Sequence, residues 1–110
     1  MKNTTRLMGV ARLCLAAHPQ LRMSQLLLLL AVAEKPGRTQ SELAAEVGLT
    51  LSAVSRAVDV LGTTGRRDKQ GPPGMGWIQV VADPSDDRNL LVHLLPKGRD
   101  LLKALEGQMA

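Results

Sequence analysis

The sequence predicts a mainly α-helical single domain that carries one small β-hairpin. Three observations predict it. The chain has 110 residues, enough for one hydrophobic core and too few for two. Apolar residues recur at spacings of three and four in several stretches separated by Pro or Gly. Two short apolar runs, Trp77 to Ala82 and Leu90 to Leu94, flank a polar turn over Asp83 to Asn89.

The first helix is expected over residues 4–17, where Leu7, Val10, Ala11, Leu13, Cys14 and Ala17 share one side. His18-Pro19 stops it, because Pro disfavours the α conformation in the residue before it. A second helix over Met23 to Glu34 contains five consecutive leucines and reads as the buried centre, ended by Lys35-Pro36-Gly37. Thr39-Gln40-Ser41-Glu42 is a capping box: the Thr39 hydroxyl can accept from the Glu42 amide while the Glu42 carboxylate returns to the Thr39 amide. Leu43 and Val47 turn inward in the short helix that follows, and Gly48 stands where a left-handed residue must end it. Thr50 can cap the next helix, whose inner face is Val54, Val58 and Leu61 and whose outer side holds Ser52, Ser55, Arg56 and Asp59.

Residues 39–62 therefore form a helix-turn-helix whose second helix can enter a major groove. A basic Gly- and Pro-rich loop over 63–76, with Arg66, Arg67 and Lys69, separates it from a hairpin over 77–95. Pro96 opens a last helix over 96–109, with Leu101, Leu102, Leu105 and Met109 along one stripe. This order is a winged helix-turn-helix. On so short a terminal helix the stripe reads as a dimer contact rather than core, with Leu7 and Val10 from the first helix beside it, and an isologous dimer would address a palindromic site.

Composition removes whole classes of function. One Cys permits neither an internal disulfide nor a multi-cysteine zinc site, and a single Trp without Phe or Tyr puts single-strand binders that stack bases on aromatic side chains at a handicap. Asp83, Ser85 and Asp87 match the first ligands of a calcium loop, but Arg88 stands where Gly is needed and Leu94 where Glu is needed. His18 and His93 have no metal-ligand spacing and no neighbouring nucleophile. No cofactor, metal or catalytic constellation is expected. The apolar run Leu26 to Ala33 is eight residues long, against about 20 for a membrane span. Arg12 interrupts the N-terminal apolar stretch, so a cytoplasmic protein is expected. The net charge of +4 resides in residues 1–22, which hold Lys2, Arg6, Arg12 and Arg22 and no acid. That balance permits nucleic-acid binding without requiring it.

The stretch from Gln25 to Gly98 resembles the MarR family of bacterial transcription regulators. The resemblance is carried by QLLLLLAVAEKPGRTQSELAAEVGLTLSAVSRAVDVL and by DPSDDRNLLVHLLPKGRDLL. It implies a dimer joined through terminal helices that binds double-stranded DNA in a bacterial cell or a phage-infected host, most often as a repressor. It makes Arg88 the minor-groove arginine of the wing and Asp86 the carboxylate that orients it. It places Thr50, Ser52, Ala53, Ser55 and Arg56 on the recognition helix, and Thr39 and Gln40 where backbone amides can meet a phosphate.

Three departures stand out. Residues 66–75 are inserted between recognition helix and wing. Arg22 and Leu95 replace the usual helix-capping Thr. Both terminal helices are short, which bears on the dimer and on any effector pocket. A short chain with such an insert is similar to the reduced MarR-like proteins of bacteriophages.

Several residues have plainer readings. Cys14 could sense oxidants as some family members do, but between Leu13 and Ala17 it reads as a core residue. Lys97, Arg99 and Lys103 read as the solvated side of the last helix. Two other functions share the same fold. The first is a protein-interaction module, favoured by the neutrality of residues 23–110. The second is a non-specific architectural DNA binder, favoured by the basic N-terminus and the Arg66–Lys69 loop.

Overall fold

Helix α1 (Lys2–Ala17) is followed by α2 (Met23–Glu34), strand β1 (Arg38–Thr39), α3 (Gln40–Val47), α4 (Leu51–Leu61), strands β2 (Ile78–Asp83) and β3 (Asp86–Leu94), and α5 (Pro96–Met109). The computed structural model describes residues 1–63 and 74–110. Arg66, Arg67 and Lys69 lie outside the described residues. The three strands form one antiparallel sheet in the order β1-β3-β2.

The leucine-rich α2 supplies the centre, with Leu28, Leu29 and Val32 fully buried. Leu43 of α3, Val54 and Leu61 of α4, Ile78 of β2 and Val92 of β3 close over them. Each such side chain contributes about 1.5–3 kcal/mol through burial. α5 crosses α1 and adds Leu102 and Leu105 to the same core. Gly98 lets α5 approach the hairpin, because a Cβ there would run into the Trp77 carbonyl, whose carbon lies 3.0 Å away.

The helix start at Met23 does without a hydroxyl cap: the Gln25 side-chain oxygen accepts from the Arg22 amide at 2.9 Å. At the other end of α2, Arg38 takes over as a C-terminal cap. Its Nη2 donates to the Ala31 carbonyl at 2.6 Å and its Nε to that of Lys35 at 3.3 Å. A guanidinium among the last carbonyls of a helix also meets the favourable end of the helix dipole.

The structure departs from the sequence reading in three places. β1 is an additional strand, formed because the turn at Gly37, with φ +88°, delivers Arg38 and Thr39 alongside Val92 and Leu91. β3 begins at Asp86 rather than Leu90, which shortens the wing turn to Pro84-Ser85. The Asp83 carboxylate produces this turn by accepting from the Ser85 amide at 2.9 Å and from its hydroxyl at 2.8 Å. Finally, the single apolar side predicted for α1 divides between core and solvent: Cys14 is buried and Val10 and Leu13 pack against the core, while Leu7 stays 57% exposed.

The long connection after α4 is clamped at its base. Met75, Gly76 and Trp77 donate their amides to the carbonyls of Val60, Gly62 and Leu61, all at 2.9 Å. The wing therefore starts beside the end of α4, despite the residues that intervene in sequence.

Candidate nucleic-acid interface

The helix-turn-helix is assembled by local chemistry. The Thr39 hydroxyl accepts from the Glu42 amide at 3.2 Å, and a Glu42 carboxylate oxygen accepts from the Thr39 amide at 3.1 Å. These two bonds, with Lys35 and Arg38 nearby, hold the Glu42 carboxyl below the usual carboxylate range. Gly48 adopts the left-handed conformation, φ 72° and ψ 29°, and donates to the Ala44 carbonyl at 3.0 Å as the chain turns. Thr50 then caps α4 by accepting from the Ala53 amide at 3.1 Å.

Val54, Ala57, Val58 and Leu61 bury the inner side of α4. Thr50, Ser52 and Arg56 stand exposed on its other side, with Ala53 and Ser55 half-buried between the two. Asp59 is the first acid along α4, so its first two turns carry none. Thr39 and Gln40, at the start of α3, are half-buried.

The wing is bonded to the same unit. β3 pairs with β1 through Arg38 and Val92 and through Thr39 and Leu91, and the Gly37 amide adds a bond to the Val92 carbonyl at 2.9 Å. The residue that caps α3 thus sits in the sheet that carries Arg88. Asp86 orients Arg88 by accepting from its amide at 3.1 Å, its Nε at 3.0 Å and its Nη2 at 3.2 Å. The same contacts hold the Asp86 carboxyl below its usual range and raise the Arg88 guanidinium further. Arg88 nevertheless projects into solvent, its side chain 87% exposed.

This arrangement of capped helix pair, paired wing and returning helix decides the fold. The chain has the winged-helix fold of MarR-family regulators. A sequence model described as the MarR family matches residues 20–65. Among similar solved structures, the transcriptional regulator BldR from Sulfolobus solfataricus is 32% identical at a TM-score of 0.61, covering 84% of this chain and 58% of its own. The transcriptional repressor CouR, solved bound to a 23-mer DNA duplex, is 26% identical at 0.64, with 96% and 62% covered. Rv1404 from Mycobacterium tuberculosis superposes at 0.72 with 20% identity over 96% and 65%, a likeness of fold alone. The chain spans 58–65% of the length of these three proteins. No curated protein sequence matches it.

Other candidate residues distribute as follows. Leu102 and Leu105 are taken up by the chain's own core, while Leu7 and Met109 are 57% and 44% exposed and Val10 and Leu101 half-buried. Cys14 is buried, and burial pushes its thiol up, away from the thiolate an oxidant sensor needs. Among the described residues no group of three His, Cys, Asp or Glu is placed to hold a metal ion. None of the helices described is long and apolar enough to cross a membrane.

Sequence reasoning missed Arg38, whose side chain is 11% exposed and whose Nη1 stands 4.0 Å from Glu46 of α3. A basic residue directly after a Pro-Gly helix stop was the available signal. It also missed Leu51, the first residue of α4, which is 53% exposed.

Proposed function

We propose that the chain binds duplex DNA sequence-specifically and regulates transcription as a homodimer, repressing by occupying a palindromic site. The observation that carries this reading is the combination of an acid-free start of α4, with Thr50, Ser52 and Arg56 exposed, and the projecting, carboxylate-oriented Arg88 on β3, the strand that pairs with β1 at the start of the helix-turn-helix. α4 enters the major groove. Arg56 is long enough to reach guanine O6 and N7 or a phosphate, Ser52 and Ser55 bond to bases or phosphates, and Ala53 approaches a thymine methyl.

Thr39 and Gln40 meet the phosphate backbone where α3 begins. Arg88 enters the flanking minor groove, with most gain where A·T pairs narrow it. Leu7 and Met109, exposed on α1 and α5, take part in the contact between protomers. Arg66, Arg67 and Lys69 add backbone contacts, and the Lys97, Arg99 and Lys103 side of α5 stays in solvent.

The test is selection from a random duplex library at near-physiological salt, with the bound pool sequenced. An enriched palindrome with half-sites about one helical turn apart is the expected result. Salt-sensitive retention without enrichment would indicate an architectural binder. A chain that retains no duplex and instead captures a protein in high salt would overturn the reading in favour of an interaction module.

A further inference from the structure

We propose that Leu51 reads sequence by packing against the 5-methyl group of a thymine in the major groove, an inference that rests on the DNA-binding reading above. Leu51 is the first residue of α4, directly after the Thr50 cap. The residue is 53% exposed although its side chain is wholly apolar. The core does not hold it there, since Val54, Ala57, Val58 and Leu61 already supply the buried side of the helix. The helix start does not call for it either, because that position favours Pro or an acid.

Its surroundings select the occupant. Thr50, Ser52 and Arg56 are the exposed side chains along the same two turns, and no acid precedes Asp59 on the helix. An apolar protein surface needs a contiguous patch to bury, and the exposed neighbours of Leu51 on its own helix are polar or cationic. A polyanion suits the same surroundings. The first residues of a recognition helix are those that reach base edges, and the one apolar group exposed on those edges in the major groove is the thymine methyl.

The experiment uses the full chain and the duplex enriched by the selection. Each thymine of a half-site is replaced in turn by deoxyuridine, which keeps the hydrogen-bonding edge and removes only the methyl group. One replacement is expected to weaken binding about fourfold, the equivalent of one buried methyl. That replacement is silent for Leu51→Ala, and Leu51→Ser selected afresh no longer enriches thymine at the position.

The proposal is overturned if every deoxyuridine duplex binds like its parent. It is equally overturned if the loss persists undiminished in Leu51→Ala, which would assign the methyl to Ala53. Both outcomes leave sequence-specific binding intact. A first round that enriches no duplex removes the DNA-binding reading itself, so the two failures are distinguishable. Unchanged melting of both variants is expected from the exposure of Leu51.

Discussion

The Asp86 carboxylate accepts three hydrogen bonds from a single residue, one from the Arg88 amide and two from its guanidinium. With Arg88 so exposed, the pair orders a side chain rather than stabilising the fold. Its pH dependence follows from the lowered Asp86 carboxyl. A depressed carboxyl keeps its pairing above the ordinary carboxylate range and loses it as pH falls through the lower, folded value. The Arg88 Nε–H resonance should therefore stay constant from neutral pH down to the ordinary carboxylate range and collapse only below it. Collapse within that range would show that Asp86 is not held.

The two arginines proposed to read DNA should also separate. Arg88→Ala is expected to lose affinity chiefly on sites with A·T-rich flanks. Arg56→Ala should cost about 1–3 kcal/mol and relax base preference, both measured by titration against variant duplexes. Equal losses on all sequences for both variants would count against base and shape readout.

At the scale of the elements, contacts between neighbours in sequence were legible and contacts across the fold were not. The Thr39–Glu42 box, left-handed Gly48 and the Thr50 cap each join residues at most three or four positions apart, so residue type and spacing specify them. β1 escaped the reading because two residues carry no periodicity, and only pairing with β3 makes them a strand. Arg38 escaped for the same reason, since its role depends on reaching back seven residues to Ala31. The wing turn was overestimated because the polar run Asp83 to Asn89 looks like loop, while Asp83 and Asp86 bond locally and let β3 start early.

Glycines in the terminal helices give an element-scale prediction. Gly98→Ala should destabilise the fold by about 1–3 kcal/mol, because the new methyl meets backbone at Trp77. Gly9→Ala meets only the end of the exposed Gln108 side chain, so helix propensity wins and stability should rise by up to about 1 kcal/mol. Denaturant melts of the two variants shifting in the same direction would contradict this.

For the molecule as a whole, the sequence conveyed the order of the elements and the location of the core, because α2 is apolar nearly all round. It did not convey how the terminal helices divide their apolar residues. Leu102 and Leu105 go to the core and Leu7 and Met109 to the surface, an outcome set by how α5 lies across α1. The clamp at the base of the long connection was equally invisible, since it depends on three backbone bonds between segments far apart in sequence. It predicts that replacing residues 64–73 by a two-residue Ser-Gly link leaves the fold intact. Loop-closure entropy should then change stability by only about 1 kcal/mol, in favour of the shorter chain. A melting temperature lowered by more than about 5 °C would show that the connection does more than join α4 to β2.

The clamp has a consequence for how this chain can change over time. With Gly62 and Gly76 bonded to each other, the two ends of the connection are held together like the posts of a closed doorway, and these bonds use backbone groups alone. Insertions and deletions between these posts are therefore expected to leave the start of the wing bonded to the end of α4. Selection could then lengthen or respell the chain between them, and an engineer could thread a reporter domain there, with the same three bonds closing behind the insert.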